Sequence, residues 1–222
     1  MTTHPSIGDH ETRQRLLDAA VKLFAERGFK NVTIRDVCKE ADANLAAVNY
    51  YFRDKLGLYK EAVQLAAGMM DKPKQAAMDA GEGQSPEEQL RTYIRSLLHH
   101  MLAEERDEKT SWIEKLIGRE MGDPSPAFDL IIEKGIKPSA GRLAALVSEL
   151  LGCPPEDERV WQTALSVQSQ CIFYKFSKPV FARMAPDLQF TAEVIDRIAD
   201  HIAEFSLAGI QAVSQHMQEV KP

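Results

Sequence analysis

The sequence has few cysteines and no long apolar run. Its three cysteines, Cys38, Cys153 and Cys171, are odd in number, far apart and set among apolar residues, which argues against a disulfide framework and indicates reduced thiols. No stretch approaches the roughly 20 apolar residues of a membrane-spanning helix, and residues 1–11 lack the apolar core of a signal peptide. We therefore expect a cytoplasmic protein without a membrane partner.

Motifs that carry catalysis are also missing. The sequence has no P-loop, no Gly-x-Ser-x-Gly, no dinucleotide-binding glycine fingerprint and no Cys-x-x-Cys pair. His99 and His100 with Glu104 come nearest to a metal cluster, but adjacent histidines point to different sides of a helix, and no His-x-x-x-His occurs. We expect neither an enzyme nor a bound metal or cofactor.

Charge is unevenly distributed along the chain. The 27 basic and 33 acidic residues give a net charge of −6, which argues against indiscriminate binding to nucleic acid. Residues 1–60 contain 10 basic and 8 acidic residues, a net charge of +2, so residues 61–222 carry −8. The N-terminal part is therefore the part suited to approach DNA, and the acidic remainder would repel it.

Residues 33–55 predict two short helices that meet at a tight turn. Thr33 is suited to cap the first helix, with Asp36 three residues further on, and Asn44 is suited to cap the second. Upstream, an amphipathic helix leads to Gly28, where Phe29 can pack back on Phe24 in a Schellman stop.

The second short helix has two different faces. Three apolar residues are expected to face the first helix: Leu45, Val48 and Phe52. Four small, amide or aromatic residues are expected to point outward: Ala46, Ala47, Asn49 and Tyr50. Small residues let a helix approach base edges, Asn can pair with adenine, and Ala can touch a thymine methyl. Donors for the flanking phosphates are also present: Thr33, Tyr50, Tyr51 and Lys55.

This arrangement predicts a helix-turn-helix, with residues 44–51 as the recognition helix. The alternatives are a small helical bundle whose outward residues have no role, or a helix-turn-helix chain that binds protein instead of DNA.

Residues 13–59 resemble the DNA-binding domain of the tetracycline-repressor (TetR) family. Three blocks carry the resemblance, in order and at the family's spacing: Leu23-Phe24-Ala25-Glu26-Arg27-Gly28-Phe29, Thr33-Ile34-Arg35-Asp36-Val37-Cys38 and Tyr50-Tyr51-Phe52-Arg53-Asp54-Lys55. The resemblance implies phosphate contacts from Thr33, Tyr50, Tyr51 and Lys55. It implies base-side contacts from Arg35, Leu45, Ala46, Ala47 and Asn49. Asn44, which begins the recognition helix, is the tenth residue expected to bind DNA. Asp42 stands where the family usually has Gly, and Asp tolerates the left-handed conformation of such a turn.

The rest of the sequence also predicts helices, so the fold class is all-α: a three-helix DNA-binding domain at residues 11–55 after a mobile tail at 1–10, and a larger regulatory and dimerisation domain at 56–222. The predicted helices after the helix-turn-helix share apolar spacing of helical period, and Gly135 and Pro138 are expected to bend or divide the fourth of them. They span about 55–78, 86–101, 108–121, 126–151, 156–177 and 191–217.

Residues 112–181 also resemble the C-terminal half of one subgroup of the family, the CecR-like regulators. The matching segments are Trp112-Ile113-Glu114-Lys115-Leu116-Ile117-Gly118-Arg119-Glu120-Met121, Pro126-Ala127-Phe128 and Gln170-Cys171-Ile172-Phe173-Tyr174.

The last two long helices are the expected homodimer interface, since a single helix-turn-helix makes too few contacts for a genomic site. In the helix at 156–177, one face is expected to carry Trp161, Ala164, Leu165, Cys171, Ile172 and Phe176. In the helix at 191–217, Ala208, Gly209 and Ala212 make part of the surface flat enough for close helix contact, next to an apolar stripe that includes Phe205. The alternative is that both helices are simply core.

Polar and aromatic residues near the apolar stripes are candidates for a small-molecule effector pocket. They are Tyr93, His100, Trp112, Arg119, Glu120, Phe128, Gln168 and Tyr174. His100 is expected beside the buried stripe of its helix and His99 opposite it. Each candidate has a structural alternative, such as a Glu120–Arg119 ion pair, and about half of the list is expected to be structural. Together these features predict a repressor that a small molecule releases from a palindromic operator, with a helical ligand- or protein-binding module as the alternative.

Overall fold

The computed structural model describes residues 7–102 and 107–219, and every regular element within them is helical. The all-α prediction is confirmed. The α-helices are α1 (Ile7–Arg27), α2 (Ile34–Glu40), α3 (Leu45–Phe52), α4 (Lys55–Asp79), α5 (Pro86–Leu102), α6 (Glu108–Gly122), α7 (Phe128–Ile131), α8 (Lys137–Leu151), α9 (Glu158–Phe176), α10 (Lys178–Met184) and α11 (Ala192–Glu219). A 3-10 helix spans Phe29–Asn31, and a π-helix spans Ile132–Ile136. Within residues 7–102 and 107–219, none of the helices has the length and apolar composition of a membrane span.

The helices form two units, each with its own hydrophobic core. The first unit contains residues 1–71 and 106–137, and the second contains residues 72–105 and 138–222. This division differs from the predicted boundary at residue 55, because α6 packs along α1 and so belongs with the helix-turn-helix. Helix α1 also begins at Ile7, so residues 7–10 are helical where the sequence predicted a tail, and residues 1–6 lie outside the described residues.

Helix α1 supplies the centre of the first core. Its predicted apolar face is fully buried: Leu16, Leu17, Ala20, Val21 and Phe24. The amide of Gly28 donates to the Phe24 carbonyl at 2.9 Å, and the Phe24 and Phe29 ring centroids are 6.2 Å apart, as expected. However, Gly28 has φ 79° and ψ 161°, so the chain leaves in an extended direction and the Schellman prediction is wrong in geometry. That backbone region is almost exclusive to glycine.

The turn between α3 and α4 brings two backbone segments into close approach. Arg53 has φ 69°, and the Asp54 carboxylate caps α4 by accepting from the Gly57 amide at 2.8 Å. A Cβ atom placed on Gly57 would lie 2.0 Å from the Phe52 carbonyl oxygen, which is impossible without a backbone shift. The residue at position 57 therefore sets how closely α4 can follow α3.

In the second unit, α5 packs mainly against α11 and α9. The predicted buried stripe of α5 is confirmed: Leu90, Ile94, Leu97, Leu98 and Met101. Two polar pairs flank this stripe, from Arg95 to Asp200 at 2.5 Å and from His99 to Asp196 at 2.8 Å. The expected placement of the two histidines is reversed, because the side chain at position 99 faces α11 while His100 is exposed.

Helix α9 has two apolar stripes, so the prediction of a single face was wrong. Val160, Ala164, Val167 and Cys171 are buried at helical spacing. Trp161, Leu165 and Phe176 form a second stripe that is exposed, and Phe173 is exposed as well. Periodicity could not separate the stripes, because both are apolar and adjacent on the helix surface.

The other helix boundaries fall within two residues of expectation where they were predicted. The π-helix Ile132–Ile136 interrupts the helix that Gly135 and Pro138 were expected to divide. Helix α10 was missed, because it is a short segment with Pro179 in its first turn.

We expect Gly57→Ala to destabilise the protein by more than about 2 kcal/mol, because the added methyl meets backbone that has no room to relax. Gly68→Ala is the matched control in the same helix. Its Cβ would meet nothing within 4 Å, so that change should raise the free energy of unfolding by roughly 0.5–1 kcal/mol. Urea denaturation of the two variants checks this. Equal stability of both variants would contradict the close approach at position 57.

Candidate nucleic-acid interface

Helix α2 begins at a reciprocal cap. The Thr33 hydroxyl oxygen accepts from the Asp36 amide at 3.2 Å, and the Asp36 carboxylate accepts from the Thr33 amide at 2.8 Å. The Thr33 hydroxyl also donates to this carboxylate at 2.6 Å, and these bonds lower the pKa of Asp36. The cap predicted at Thr33 is confirmed, and it fixes where α2 starts relative to α3.

The turn between α2 and α3 has the predicted left-handed residue. Asp42 has φ 47°, and the next amide, of Ala43, donates to the Cys38 carbonyl at 2.9 Å. Asp therefore takes the conformation that Gly usually takes in such turns. Asn44 then caps α3, with its side-chain oxygen accepting from the Ala47 amide at 2.8 Å, as predicted.

Helix α3 is anchored on one side and open on the other. Val48 and Phe52 are buried, as expected. Leu45 is 48% exposed, so the expectation that it packs on α2 was wrong. It is the first residue of the helix, and there is no preceding helical turn for it to cover.

The ten residues predicted to contact DNA all lie on this motif. Seven are exposed: Thr33, Arg35, Asn44, Leu45, Ala46, Asn49 and Tyr50. Three are half-buried: Ala47, Tyr51 and Lys55. Tyr50 is 76% exposed and meets the Tyr51 ring edge-on at 4.9 Å between centroids. The Lys55 amine lies 4.5 Å from the centroid of the Phe29 ring, which positions its charge next to the 3-10 helix.

Helix α6 supports the helix-turn-helix, although it lies outside the segment that resembles the DNA-binding domain. The Arg119 guanidinium donates to the carbonyl oxygens of Ala25 and Glu26 at 2.8 and 2.7 Å. These carbonyls belong to the last turn of α1, where helical partners are lacking and positive charge is favourable. Arg119, predicted as a pocket residue, therefore acts as a cap on the helix that leads into the motif.

Glu120 is a buried carboxylate with a full set of donors. It is 2% exposed and accepts from the Tyr59 hydroxyl, from the Ser125 amide at 3.2 Å and from the Ser125 hydroxyl at 3.0 Å. Burial and the neighbouring carboxylate raise the pKa of Tyr59, so the phenol stays a donor. The sequence suggested Arg119 as an ion-pair partner of Glu120, but nothing in it pointed to Tyr59.

The other pocket candidates are divided between the two units. In the first, the Lys22 amine lies 5.4 Å from the Trp112 ring centroid, and Phe128 is half-buried against the core. In the second, the Tyr93 hydroxyl donates to Gln168 at 2.5 Å, and the Tyr174 ring stacks on Phe181. The shared pocket thus stays a prediction. Among residues 7–102 and 107–219, no cluster of His, Cys, Asp or Glu is suited to hold a metal ion, and Glu104 lies outside the described residues.

Replacing Tyr59 by Phe should cost about 1–3 kcal/mol of stability, because a buried carboxylate loses a donor. Tyr50→Phe is the matched control, since it removes a hydroxyl from an exposed ring and should leave stability within about 0.5 kcal/mol of the parent. Chemical denaturation of the two variants measures the difference. If Tyr59→Phe is as stable as Tyr50→Phe, the buried hydrogen bond is not a structural support.

Comparison with known proteins agrees with this architecture. Residues 16–62 match the family model of "Bacterial regulatory proteins, tetR family", and residues 86–210 match that of "HTH-type transcriptional dual regulator CecR, C-terminal domain". The chain is 29% identical over 160 residues to the HTH-type transcriptional dual regulator CecR of Shigella flexneri, covering 70% of this chain and 71% of that one. It is also 29% identical over 135 residues to the probable HTH-type transcriptional regulator YttP of Bacillus subtilis, covering 57% of this chain and 65% of YttP, just under two thirds of its length.

Solved structures share the fold at low sequence identity. A putative transcriptional regulator from Pseudomonas aeruginosa superposes with a TM-score of 0.64 at 18% identity, covering 89% of this chain and 90% of that one. A putative TetR-family regulator from Mesorhizobium loti superposes with a TM-score of 0.63 at 18% identity, covering 91% and 98%. Because the CecR-type model covers more than half of the sequence and the tetR model covers the helix-turn-helix, the chain belongs to the tetR family of bacterial regulatory proteins, in the group with a CecR-type C-terminal domain, and is a DNA-binding transcriptional regulator rather than an enzyme.

Proposed function

We propose that this regulator is a homodimeric repressor that binds a palindromic operator in the cytoplasm and leaves it when a small-molecule effector binds. The observation that supports the proposal is the exposed side of α3, while Val48 and Phe52 on the opposite side are buried in the core. The exposed residues of α3 are Leu45, Ala46, Asn49 and Tyr50. Members of the family bind DNA and usually act as dimers.

In this proposal, the exposed motif residues divide into two roles. Thr33, Tyr50, Tyr51 and Lys55 contact phosphates and set the position of α3 on the groove. Asn49 reads a base edge, because an amide can both accept from and donate to adenine. Arg35, Asn44, Leu45, Ala46 and Ala47 complete the surface that faces the bases.

The dimer interface is proposed on α9 and α11, where large apolar residues are exposed. On α9 they are the stripe described above, which includes Trp161 and Leu165. On α11, Phe205 is 65% exposed and is followed along the same side by Ala208, Gly209 and Ala212, which are also exposed. Exposed apolar helix surface of this extent is typical of a protein–protein contact.

Gly209 adds an argument of its own. It lies inside a 28-residue helix, where glycine costs roughly 0.5–1 kcal/mol relative to alanine, and its Cβ would meet nothing within 4 Å in the subunit. Because Gly209 lies on the exposed side with Phe205 and Ala208, its missing side chain would let a partner helix approach closely. The symmetry mates of α9 and α11 would then form a four-helix bundle.

An effector can release DNA only if it prefers a subunit arrangement that the operator disfavours. Helix α4 links the helix-turn-helix to the second unit along a continuous backbone, since it runs from Lys55 to Asp79. A ligand that tilts α4 would change the distance between the two recognition helices of a dimer, and the predicted result is derepression.

The two proposed roles in DNA binding can be separated by mutation. We expect Asn49→Ala to weaken operator binding by about 1–3 kcal/mol per half-site while leaving affinity for random DNA unchanged. We expect Tyr50→Phe to weaken both by a similar factor, about three- to tenfold, because a phosphate contact carries no sequence information. Fluorescence anisotropy with operator and scrambled duplexes checks this. If both variants bind both duplexes like the parent, the chain does not use α3 to bind DNA, and the protein-binding alternative gains support.

The dimer surface is tested with two exposed glycines in helices. Gly209→Arg should give a monomer at micromolar concentration, because a long charged side chain enters the proposed contact. Gly141→Arg in α8 is the control, since a Cβ there also meets nothing within 4 Å but lies outside the proposed face. Analytical ultracentrifugation gives the masses. A dimeric Gly209→Arg variant would contradict the interface.

A further inference from the structure

The second unit has an open groove of about 350 Å³. Of the residues that line it, only Tyr174 was predicted to contact an effector. Its walls come from α9, α10, the segment after α10 and the N-terminal part of α11. Its lining is mainly apolar: Tyr174, Phe181, Leu188, Val194 and Ile198. Two nitrogen-bearing side chains, Arg197 and His201, complete it.

The apolar part of the groove is built on stacked aromatic rings. The Tyr174 and Phe181 rings are nearly parallel, with an interplanar angle of 12° and centroids 5.5 Å apart. The Phe181 ring is held at its edges by Phe173 and Phe190, with centroids 6.3 and 6.0 Å away and interplanar angles of 89° and 78°. A braced pair of flat rings favours a ligand that is itself flat and aromatic.

The polar part of the groove favours negative charge. Arg197 and His201 are one helical turn apart on α11, and within the described residues neither has an ion-pair partner. Two acidic neighbours on α11, Asp196 and Asp200, are engaged by His99 and Arg95 of α5 at 2.8 and 2.5 Å. The other two acidic neighbours within one helical turn, Glu193 and Glu204, are exposed to solvent. The guanidinium fork of Arg197 is therefore available for a carboxylate or sulfonate, which it can bind with two parallel hydrogen bonds.

We propose that this groove binds a flat aromatic organic anion, with the ring system against Tyr174, Phe181 and Leu188 and the anionic group at Arg197 and His201. Aromatic surface and a single cationic fork lie next to each other there. A neutral ligand would leave the arginine unused, and a small inorganic anion would leave the aromatic surface uncovered.

The position of the groove suggests how a bound ligand could change DNA binding. This step rests on the proposed dimer. Val194, Ile198 and His201 are spaced by four and three residues on α11, and the same spacing continues to Phe205, Ala208 and Ala212. The groove thus lies at one end of the α11 face assigned to the partner subunit. A ligand at this end would act directly on subunit packing.

The test uses two fluorescent probes with the same ring systems, anilinonaphthalene sulfonate, which is an anion, and N-phenylnaphthylamine, which is neutral. Each is titrated into the purified full-length dimer and into three variants. Arg197→Gln should weaken the anionic probe by about five- to tenfold and leave the neutral probe unchanged, since only the charged contact is lost. Phe181→Ala should weaken both probes. Arg183→Gln is the matched control, because this exposed arginine on α10 donates to the Pro179 carbonyl and does not line the groove.

The inference is overturned if Arg197→Gln binds the anionic probe as tightly as Arg183→Gln does. It is equally overturned if the dimer binds neither probe while the monomeric Gly209→Arg variant binds both, since the partner subunit would then occupy the groove. Operator binding is measured on the same samples by anisotropy. If Arg197→Gln does not weaken the anionic probe but the protein binds its operator, only the ligand site is rejected. If Arg197→Gln does weaken the anionic probe but the protein does not bind an operator, the repressor proposal is rejected and the ligand site is kept.

Discussion

The buried carboxylate of Glu120 is the interaction on which the DNA-binding unit depends. A charge removed from water must be matched by donors, and breaking a buried charged contact typically costs several kcal/mol. Here the donors are the Tyr59 hydroxyl of α4 and the amide and hydroxyl of Ser125. The adjacent Arg119 holds the last carbonyls of α1. Two neighbouring residues of α6 thus fix the helices that enter and leave the helix-turn-helix.

Because of these contacts, the structural support of the helix-turn-helix extends beyond the segment that resembles the DNA-binding domain. The segment that resembles the DNA-binding domain ends at residue 59, yet its frame includes α6, about fifty residues further on. A change in α6 would therefore reach α1 and α4 together, without any rearrangement inside α2 and α3. In the proposed function, such a change would alter the angle at which α3 meets DNA.

Local features were predictable from the sequence, and long-range ones were not. The caps at Thr33 and Asn44, the left-handed Asp42 and the buried Val48 and Phe52 all follow from interactions within a few residues. The hydrogen bonds from Arg119 to α1 and from Tyr59 to Glu120 join residues more than 60 positions apart in the sequence, and no periodic pattern indicates them. The apolar residues of α9 were assigned to a single face for another reason: periodicity cannot separate a buried stripe from an exposed apolar stripe beside it.

We propose that the exposed residues of α3 read an operator as part of a two-fold dimer. The most direct measurement is a footprint of the purified protein on DNA from upstream of its own gene, with salt varied and random DNA as competitor. We expect two protected half-sites that are related by a palindrome and separated by roughly 34 Å or a multiple of it, with protection that survives excess competitor. Uniform protection that random DNA removes, or none at any salt concentration, would contradict it.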